Sequence, residues 1–254
     1  MVIGLWSERG LNLQTDEKER PEFDQYAASY AELLDDPIRN RFARDALHFH
    51  RRKWFLIERL LKSAGVAPVT LRWLDVGCGR GELLQLAGAN FAQALGCDPS
   101  AGMLGSNASF RRIEQPSLVE LPFGDGSVDF VTAVCVYHHV HGRSRMLLTN
   151  EIKRVLSPGG WCCIIEHNPW NPVTRVVVKR CAVDVDAELL AAQDAIRLLD
   201  ASGFRSLRTA YFLYFPERLF NKFGALERVL YKIPLGGQYA LLARTPEQPT
   251  AVSH

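Results

Sequence analysis

Three glycines at alternate positions form the segment of this sequence whose spacing is most typical of a binding site. The apolar run 71–76 predicts a buried strand, and Gly77, Gly79 and Gly81 follow it directly. The next residues, 82–87, favour a helix, so the glycines occupy a turn between a strand and a helix. Glycine allows the backbone of such a turn to approach a bound molecule closely. The segment therefore predicts a loop that binds a nucleotide-containing cofactor.

The spacing of these glycines separates classes of cofactor. Dinucleotide-binding loops carry G-x-G-x-x-G, whereas this chain has G-x-G-x-G, which disfavours NAD. No Lys-Ser or Lys-Thr pair follows at the spacing of a phosphate-binding loop, so hydrolysis of ATP or GTP has no support. Asp98 follows the next predicted strand and lies 21 positions after Gly77, close to the offset of about 20 residues for an acid that binds ribose. The loop and Asp98 together predict a cofactor that contains ribose.

Four ordered blocks in this sequence resemble the class I S-adenosylmethionine-dependent methyltransferases. They are the glycine loop, a Leu-Pro-Phe segment over 120–131, a His-His segment over 136–140 and Leu-Ser-Pro-Gly-Gly at 156–160. The chain is similar to the ubiquinone/menaquinone-type branch of this family over about residues 71–166. The resemblance implies an α/β, Rossmann-like, doubly wound sheet of seven strands with an antiparallel last strand. It also implies S-adenosyl-L-methionine as methyl donor and S-adenosyl-L-homocysteine as product. No metal is expected, because the cysteines lack the spacing of a zinc site.

The expected cofactor contacts come from the loop, from Asp98 and from the resemblance. The Asp98 carboxylate is expected to accept hydrogen bonds from both ribose hydroxyls. Relatives often carry an acid five positions before the proline of Leu-Pro-Phe, near the adenine amino group, and Ser117 stands at that position here. The chain thus departs from the family pattern at the adenine end. The full set of expected contacts is Tyr30, Asp75, Gly77, Cys78, Gly79, Asp98, Pro99, Met103, Ser117, Leu118 and Cys135.

Candidate catalytic bases follow the fourth and fifth predicted strands, at the edge where doubly wound sheets bind ligands. His139 follows the fourth strand, and Glu166 and His167 follow the fifth. Histidine titrates near neutral pH and suits removal of a proton from an alcohol, a phenol or a carbon acid. A structural or cofactor-contacting role for His139 is the alternative. The Asn-Pro pairs within 168–172 predict either a rim that orients an acceptor or a capped turn before a helix.

The predicted elements alternate between strands and helices, which indicates a parallel doubly wound sheet. A helix is predicted over 187–201, and the strands are predicted near 71–76, 92–97, 109–113, 129–136, 161–166, 206–214 and 238–243. The predicted organisation is an N-terminal arm and helical lid over 1–65, a methyltransferase core over 66–246 with acceptor-side helices near 215–235, and a disordered tail over 247–254.

Two segments outside the matching blocks are expected to contact the acceptor. Tyr26 and Tyr30 share a helix face, and they either wall the methyl-transfer site or pack the lid onto the core. The segment 215–232 has apolar residues on one face and charged residues on the other, which predicts an amphipathic helix. This helix either packs over the sheet edge or a pocket, or it contacts a lipid-like acceptor or a membrane surface.

The composition fits one globular enzyme domain. The 254 residues are 47% hydrophobic and carry a formal net charge of +2, which does not favour a nucleic-acid partner. No apolar run reaches the length of about 18 residues of a membrane span, and the start lacks the pattern of a signal peptide, so a cytoplasmic location is expected. The six cysteines have neither disulfide-framework nor zinc-site spacing and are expected to be buried thiols.

The expected acceptor is a small molecule or a lipid- or glycan-linked biosynthetic intermediate. A non-catalytic or regulatory protein that keeps the cofactor-binding fold is the alternative. The sequence leaves the oligomeric state open.

Overall fold

The computed structural model describes residues 23–43, 45–105 and 109–247, so the predicted arm before residue 23 and the tail from 248 lie outside the described residues. The strands are β1 (Arg72–Val76), β2 (Gln93–Asp98), β3 (Arg111–Glu114), β4 (Val128–Val134), β5 (Leu156–His167), β6 (Arg205–Phe212) and β7 (Gln238–Arg244). The α-helices are α1 (Phe23–Tyr26), α2 (Tyr30–Leu33), α3 (Pro37–Phe42), α4 (Ala46–Ser63), α5 (Glu82–Ala87), α6 (Ala101–Leu104), α7 (Ser144–Val155), α8 (Pro172–Arg180), α9 (Ala192–Ala201) and α10 (Glu217–Leu230). None of the described helices has the length and apolar character needed to cross a bilayer.

The seven strands form one sheet in the order β3-β2-β1-β4-β5-β7-β6. The first five strands pair in parallel, and β7 lies antiparallel between β5 and β6. This confirms the predicted doubly wound α/β fold with an antiparallel last strand. Because the parallel strands end at the same edge, the residues after β1, β2, β4 and β5 are brought together there.

Helices cover both faces of the sheet and form two apolar cores. Leu74 of β1 packs on the face covered by α7 and α9, together with Ile152 and Leu199. Its neighbour Trp73 packs on the opposite face, against Ile57 of α4 and the apolar side of α5. This alternation follows from the two-residue period of a strand. Part of the segment predicted as a lid, α4, therefore contributes to the core.

Several predicted boundaries differ in the structure; for example, β5 begins at Leu156 and not near 161. Two of the differences have a clear physical reason. The helix predicted over 187–201 is helical only from Ala192, since the Glu188 N–H donates to the His138 carbonyl at 2.9 Å and the Leu190 carbonyl accepts from the Tyr239 hydroxyl at 2.9 Å. The strand predicted to reach residue 136 ends at Val134. Cys135 has a left-handed φ of 59°, which ends the extended conformation there.

The predicted amphipathic helix is present as α10, but its apolar face is not buried. The one buried residue within Glu217–Leu230 is Glu227, which pairs with the buried Arg52 of α4 and accepts from the Tyr214 N–H at 3.0 Å. The Arg52 guanidinium also lies 3.5 Å from the centre of the Phe220 ring. The helix packs against the edge strand β6 through the side that carries this ion pair, while much of its apolar face stays exposed. The exposed apolar residues of α10 are Leu219, Phe223, Leu226 and Val229.

Candidate active site

A cavity of about 720 Å³ lies at the carboxyl edge of the parallel strands. Its walls come from α1 to α4 on one side and from the segments after β1, β2, β4 and β5 on the other, and its lining is mainly apolar. The volume falls within the range of about 300–1,000 Å³ that is typical of ligand pockets. The cavity therefore has the place, size and lining of a ligand site.

The glycine loop forms one end of the cavity. Gly77 and Gly79 line it, and Gly77, Gly79 and Gly81 all have left-handed φ angles, of 66°, 51° and 77°. A Cβ atom added at Gly77 would lie 2.5 Å from Cγ2 of Val136, so a larger residue there would need both a strained backbone and a displaced neighbour. The loop is fixed to β2 by the Cys78 N–H, which donates to the Cys97 carbonyl at 3.0 Å. Its backbone is thus held open toward the cavity.

Asp98 lies beside this loop at the end of β2. One carboxylate oxygen accepts from the Gly79 N–H at 2.8 Å, and the other accepts from the Ser100 N–H at 2.9 Å. Burial raises the pKa of Asp98, and the Ser100 and Gly79 N–H groups oppose this shift. A carboxylate oxygen has two lone pairs, so Asp98 can accept two further hydrogen bonds from a ligand.

Asp75 is the second carboxylate of the cavity and belongs to a buried polar chain. It accepts a hydrogen bond from the Thr132 hydroxyl, whose oxygen accepts from Nε1 of Trp73 at 2.8 Å. Burial raises the pKa of Asp75 to about 7, while the Thr132 hydrogen bond and the charge of Lys53 oppose this shift. A cation bound at this end of the cavity would favour the charged form of Asp75.

The structure brings all but one of the predicted cofactor residues to the cavity. Tyr30, Cys78, Pro99, Met103, Leu118 and Cys135 line it together with the loop, Asp75 and Asp98. Ser117 is not among the lining residues, because its hydroxyl is turned back to accept from the Val119 N–H at 3.3 Å. Gln115 lines the cavity in its place, and its amide oxygen is buried without a hydrogen-bond partner among the described residues. Its position at the end of β3, beside Asp98, was the available sequence signal.

Comparison with known proteins agrees with this geometry. A family model described as a methyltransferase domain matches residues 74–164. The chain is 27% identical over 143 residues to an uncharacterized methyltransferase from Synechocystis, covering 53% of this chain and 67% of that protein. The fold matches the crystal structure of an S-adenosylmethionine-dependent methyltransferase from Archaeoglobus fulgidus with a TM-score of 0.57 at 18% identity, over 79% of this chain and all of that one.

Residues 74–164 thus match a methyltransferase domain, and the chain has the fold of an S-adenosylmethionine-dependent methyltransferase. It is also 31% identical over 109 residues to the 27-O-demethylrifamycin SV methyltransferase of Amycolatopsis mediterranei. That match covers 38% of this chain and 39% of the relative, so the chain spans well under two thirds of that protein.

The lid of the methyltransferase is formed by short helices that are fixed to the core. The Asp24 carboxylate accepts from the Gly102 N–H at 3.0 Å, and the Phe23 ring meets the His139 ring edge-on with centroids 4.9 Å apart. Tyr30 lines the cavity, and burial raises its pKa far above the ordinary range, so its phenol stays neutral. Tyr26 is not a lining residue, and its ring packs against Phe23 at 6.3 Å. The two tyrosines therefore occupy different environments despite their spacing.

Two of the three candidate bases of the methyltransferase face the cavity. His139 and His167 both line it. Nε2 of His139 lies 3.4 Å from Oδ1 of Asp184, and burial lowers the pKa of His139 although Asp184 opposes the shift. Nδ1 of His167 lies 3.4 Å from the Gln238 amide nitrogen.

Glu166 is placed differently and does not line the cavity. Its side chain is fully buried, and one oxygen accepts from the N–H groups of Val136 and Tyr137 at 2.8 and 2.7 Å. The other oxygen accepts from Nδ1 of His138 at 2.6 Å. Burial opposes ionisation of both partners, but their mutual attraction lowers the pKa of Glu166 and, with help from Asp184, raises that of His138. Glu166 thus holds the turn after β4 and does not reach an acceptor.

The Asn-Pro segment after β5 forms a capped turn in the methyltransferase. The Asn171 side chain accepts from the Thr174 N–H at 2.9 Å and caps α8. The buried Asn168 amide donates to the carbonyls of Pro234 and Gly236 at 3.0 and 2.8 Å. The capped-turn interpretation is confirmed. Asn171 and Thr174 also line the cavity, so the same turn forms part of its rim.

Among the six cysteines, Cys135 has the most polar surroundings. Its Sγ accepts from Nζ of Lys53 at 3.6 Å and from the Gln238 amide nitrogen at 3.4 Å, and the residue is only partly buried. Burial opposes ionisation, but Lys53 and His167 outweigh it and lower the pKa of Cys135 to about 7. In contrast, burial raises the pKa of Cys162 to about 12. The sequence suggested for the basic run 51–53 either a phosphate contact or a solvated face, and it did not indicate the contact between Lys53 and Cys135.

We expect iodoacetamide to label Cys135 first, with a rate that rises through about pH 7 as the thiolate forms. Lys53→Met should raise the midpoint pH of labelling and slow the reaction at pH 7 by about fivefold for a rise of one pKa unit, since the thiolate fraction then falls from about one half to about one tenth. Labelling is located by peptide mass analysis, and the five other cysteines provide the internal control. Equal labelling of several cysteines, or an unchanged pH profile in Lys53→Met, would contradict the assignment.

Proposed function

We propose that this methyltransferase transfers the methyl group of S-adenosylmethionine to a small, largely apolar acceptor. One observation carries this proposal: the same cavity is lined by the glycine loop and Asp98 and also by His139 and His167. Apolar side chains from the lid, from α8 and from the segment after β6 line it as well. They are Ile38, Phe42, Phe49, Val173, Val177 and Leu213.

The residues around the glycine loop fit the parts of S-adenosylmethionine. Asp98 would accept from the two ribose hydroxyls, and Asp75 would pair with the ammonium group of the amino-acid end. The unpartnered Gln115 oxygen would accept from the adenine amino group. The open backbone at Gly77 and Gly79 leaves room for the chain between them.

When bound, S-adenosylmethionine supplies a sulfonium methyl group: an acceptor lone pair bonds to the methyl carbon while the S–C electron pair returns to sulfur. The task of the protein is then to align the acceptor and exclude water. Alignment of reactants can contribute about 7–11 kcal/mol. The apolar walls and the lid residues Phe23 and Tyr30 provide this environment. His139 and His167 are the groups that can receive a proton from an acceptor hydroxyl, while Glu166 positions the turn that carries His139.

The experiment is a binding and transfer test on the purified chain. We expect calorimetry to show one site for S-adenosylhomocysteine, and a tritiated-methyl assay to label apolar alcohols or phenols in an acceptor panel. Mass analysis of products from a fractionated extract would identify the natural acceptor. Failure to bind both S-adenosylmethionine and S-adenosylhomocysteine would refute the proposal. Binding without transfer to any fraction would support the alternative, a non-catalytic protein that keeps the fold.

Two further features support a small acceptor in a reducing compartment. The net charge of +2 gives no strong attraction to nucleic acid. All six cysteines are free thiols, as is usual for cytoplasmic proteins, and we place the activity there. In this proposal, residues 1–65 form an N-terminal lid region, residues 66–246 form the core, and the helices near 215–235 lie on the acceptor side.

The exposed apolar face of α10 supports peripheral contact with an anionic membrane. Phe223 and Leu226 are exposed there, and the exposed cations Arg218 and Lys222 belong to the same helix. We expect the chain to sediment with vesicles that contain phosphatidylserine but not with neutral vesicles. Phe223→Asp should abolish sedimentation, and Val69→Asp, at another exposed apolar residue, should not. Sedimentation that is independent of lipid charge would exclude this contact.

A further inference from the structure

Two histidines of the cavity point their outer ring nitrogens at one carboxylate oxygen. Nε2 of His138 and Nε2 of His139 lie 3.6 and 3.4 Å from the same Oδ1 of Asp184. The histidines belong to the turn after β4, and Asp184 belongs to the turn Ala182–Asp184 after α8. Both distances exceed the range of about 2.7–3.2 Å for a hydrogen bond between nitrogen and oxygen. The three groups therefore converge without being close-bonded to one another.

These separations match those of ligands around a metal ion. Bonds of about 2.0–2.1 Å in tetrahedral geometry place two ligand atoms about 3.4 Å apart. The three ligand atoms of His138, His139 and Asp184 all lie within 4.8 Å of one another. Two imidazole nitrogens and one carboxylate oxygen are a ligand set for Zn²⁺ and neighbouring transition metals, whereas Mg²⁺ and Ca²⁺ prefer oxygen ligands.

A second carboxylate orients one of the two histidines. Oε2 of Glu166 accepts from Nδ1 of His138 at 2.6 Å, which leaves Nε2 of that ring free to face Asp184. Glu166 is itself fixed by the N–H groups of Val136 and Tyr137. Metal-binding histidines usually have such a carboxylate on the other ring nitrogen, which sets the ring orientation.

The charge of the cluster also favours a bound cation. Glu166 is fully buried and the Asp184 side chain is only 11% exposed. Within the described part of the chain, the ion pairs of these two carboxylates involve histidines and neither lysine nor arginine. Buried carboxylates need a compensating charge. A proton on His138 or a divalent cation can supply it, and the two compete for the same nitrogen.

We propose that His138, His139 and Asp184 bind a divalent transition metal, best matched by Zn²⁺, with an open coordination position that faces the cavity. All three residues line the cavity wall, so the open position is accessible to an acceptor. This differs from the sequence-based expectation of no metal. That expectation came from the absence of zinc-type cysteine spacing, and the three ligands are separated by 46 positions in the chain.

The consequence for catalysis rests on the proposed methyl transfer and concerns the class of acceptor. A metal with three protein ligands can bind an oxygen of the acceptor and lower its pKa toward neutrality. With such a metal bound, the acceptor hydroxyl would lose its proton to His167 or to solvent, and its oxygen lone pair would bond to the methyl carbon while the S–C electron pair returned to sulfur. His139 acts in this arrangement as a ligand and no longer as a base. The site thus selects alcohols and phenols over free amines.

The test uses the full chain after a chelator has removed bound metal. Separate samples are then titrated at pH 8 with Zn²⁺ and with Co²⁺. We expect one equivalent of each metal to bind, and Co²⁺ to give a visible absorption band of a four- or five-coordinate site. His139→Ala and Asp184→Asn should each weaken Zn²⁺ binding at least about a hundredfold, and Glu166→Gln by about 10–100-fold. His141→Ala is the matched control, since His141 forms an exposed pair with Glu188 at 3.3 Å and should have no effect.

Binding of S-adenosylhomocysteine to each variant without metal tests whether that variant is folded. Asp184→Asn, for example, leaves the glycine loop and Asp98 unchanged and should keep this binding. Intact S-adenosylhomocysteine binding without stoichiometric Zn²⁺ binding would overturn the metal site and leave the proposed function standing. Zn²⁺ binding that is unaffected by Asp184→Asn and His139→Ala would also overturn it. If the unmodified chain does not bind S-adenosylhomocysteine, the proposed function is refuted. The result of the metal titration remains valid in that case.

Discussion

Asp98→Ala is expected to weaken binding of S-adenosylhomocysteine by about a hundredfold or more. The substitution removes two hydrogen bonds from ribose hydroxyls to a charged group, each worth about 1.5–3 kcal/mol, and 1.4 kcal/mol corresponds to a tenfold change in affinity. It also removes the acceptor that holds the Gly79 N–H, so the loop itself becomes less well positioned. Calorimetry with S-adenosylhomocysteine measures the effect.

Asp129→Ala is the matched control for this substitution. Asp129 lies near the start of β4, at the opposite edge of the sheet, and its carboxylate accepts from the Arg72 side chain at 2.8 Å. This variant should lose some stability and keep its cofactor affinity. An Asp98→Ala protein that binds S-adenosylhomocysteine as tightly as the unmodified chain would show that the aspartate does not contact the ribose.

Glu166→Ala is expected to lower the free energy of unfolding by about 3–5 kcal/mol, the usual cost of removing one partner of a buried ion pair. The substitution leaves the N–H groups of Val136 and Tyr137 without their acceptor and leaves the His138 ring without its anchor. Urea denaturation followed by circular dichroism gives the change in unfolding free energy.

Glu151→Ala provides the comparison, because Glu151 also accepts from a backbone N–H and pairs with an arginine, but its side chain is 24% exposed. It should cost about 1 kcal/mol. Similar effects of the two substitutions would contradict the assignment of Glu166 as the residue that holds the turn after β4. Glu166→Gln keeps the shape of the side chain and should retain more stability than Glu166→Ala.

Two polar groups of the cavity, Lys53 and Cys135, come from segments that carry no recognisable motif. Lys53 lies in α4, a helix that also contributes residues to the core. Its ammonium group contacts Sγ of Cys135, and its charge opposes the rise in the pKa of Asp75. Cys135 in turn occupies a left-handed backbone position at the end of β4. Such strained positions often occur at functional sites. A charge from the lid side is thereby placed against the sheet edge that carries the glycine loop.

The residue pattern was sufficient to predict the fold, and also the position of Asp98 beside the glycine loop. The glycine loop, Asp98 and the alternation of strands and helices depend on spacings of a few residues to about twenty, which the local chain geometry fixes. Asp75 and Asp98 lie at the carboxyl ends of β1 and β2. These predictions agree with the structure because parallel strands necessarily bring their carboxyl ends to one edge.

Contacts between side chains that lie far apart in the sequence could not be predicted. Local periodicity carries no information on contacts between segments, so the sequence assigned Ser117 where Gln115 faces the cavity, and treated Glu166 as a base although it is fully buried. The same holds for α10, whose orientation depends on an ion pair between residues 175 positions apart. The convergence of His138, His139 and Asp184 requires two separate turns to meet at the cavity wall. Chain packing, which buries apolar surface over the whole molecule, brings those turns together.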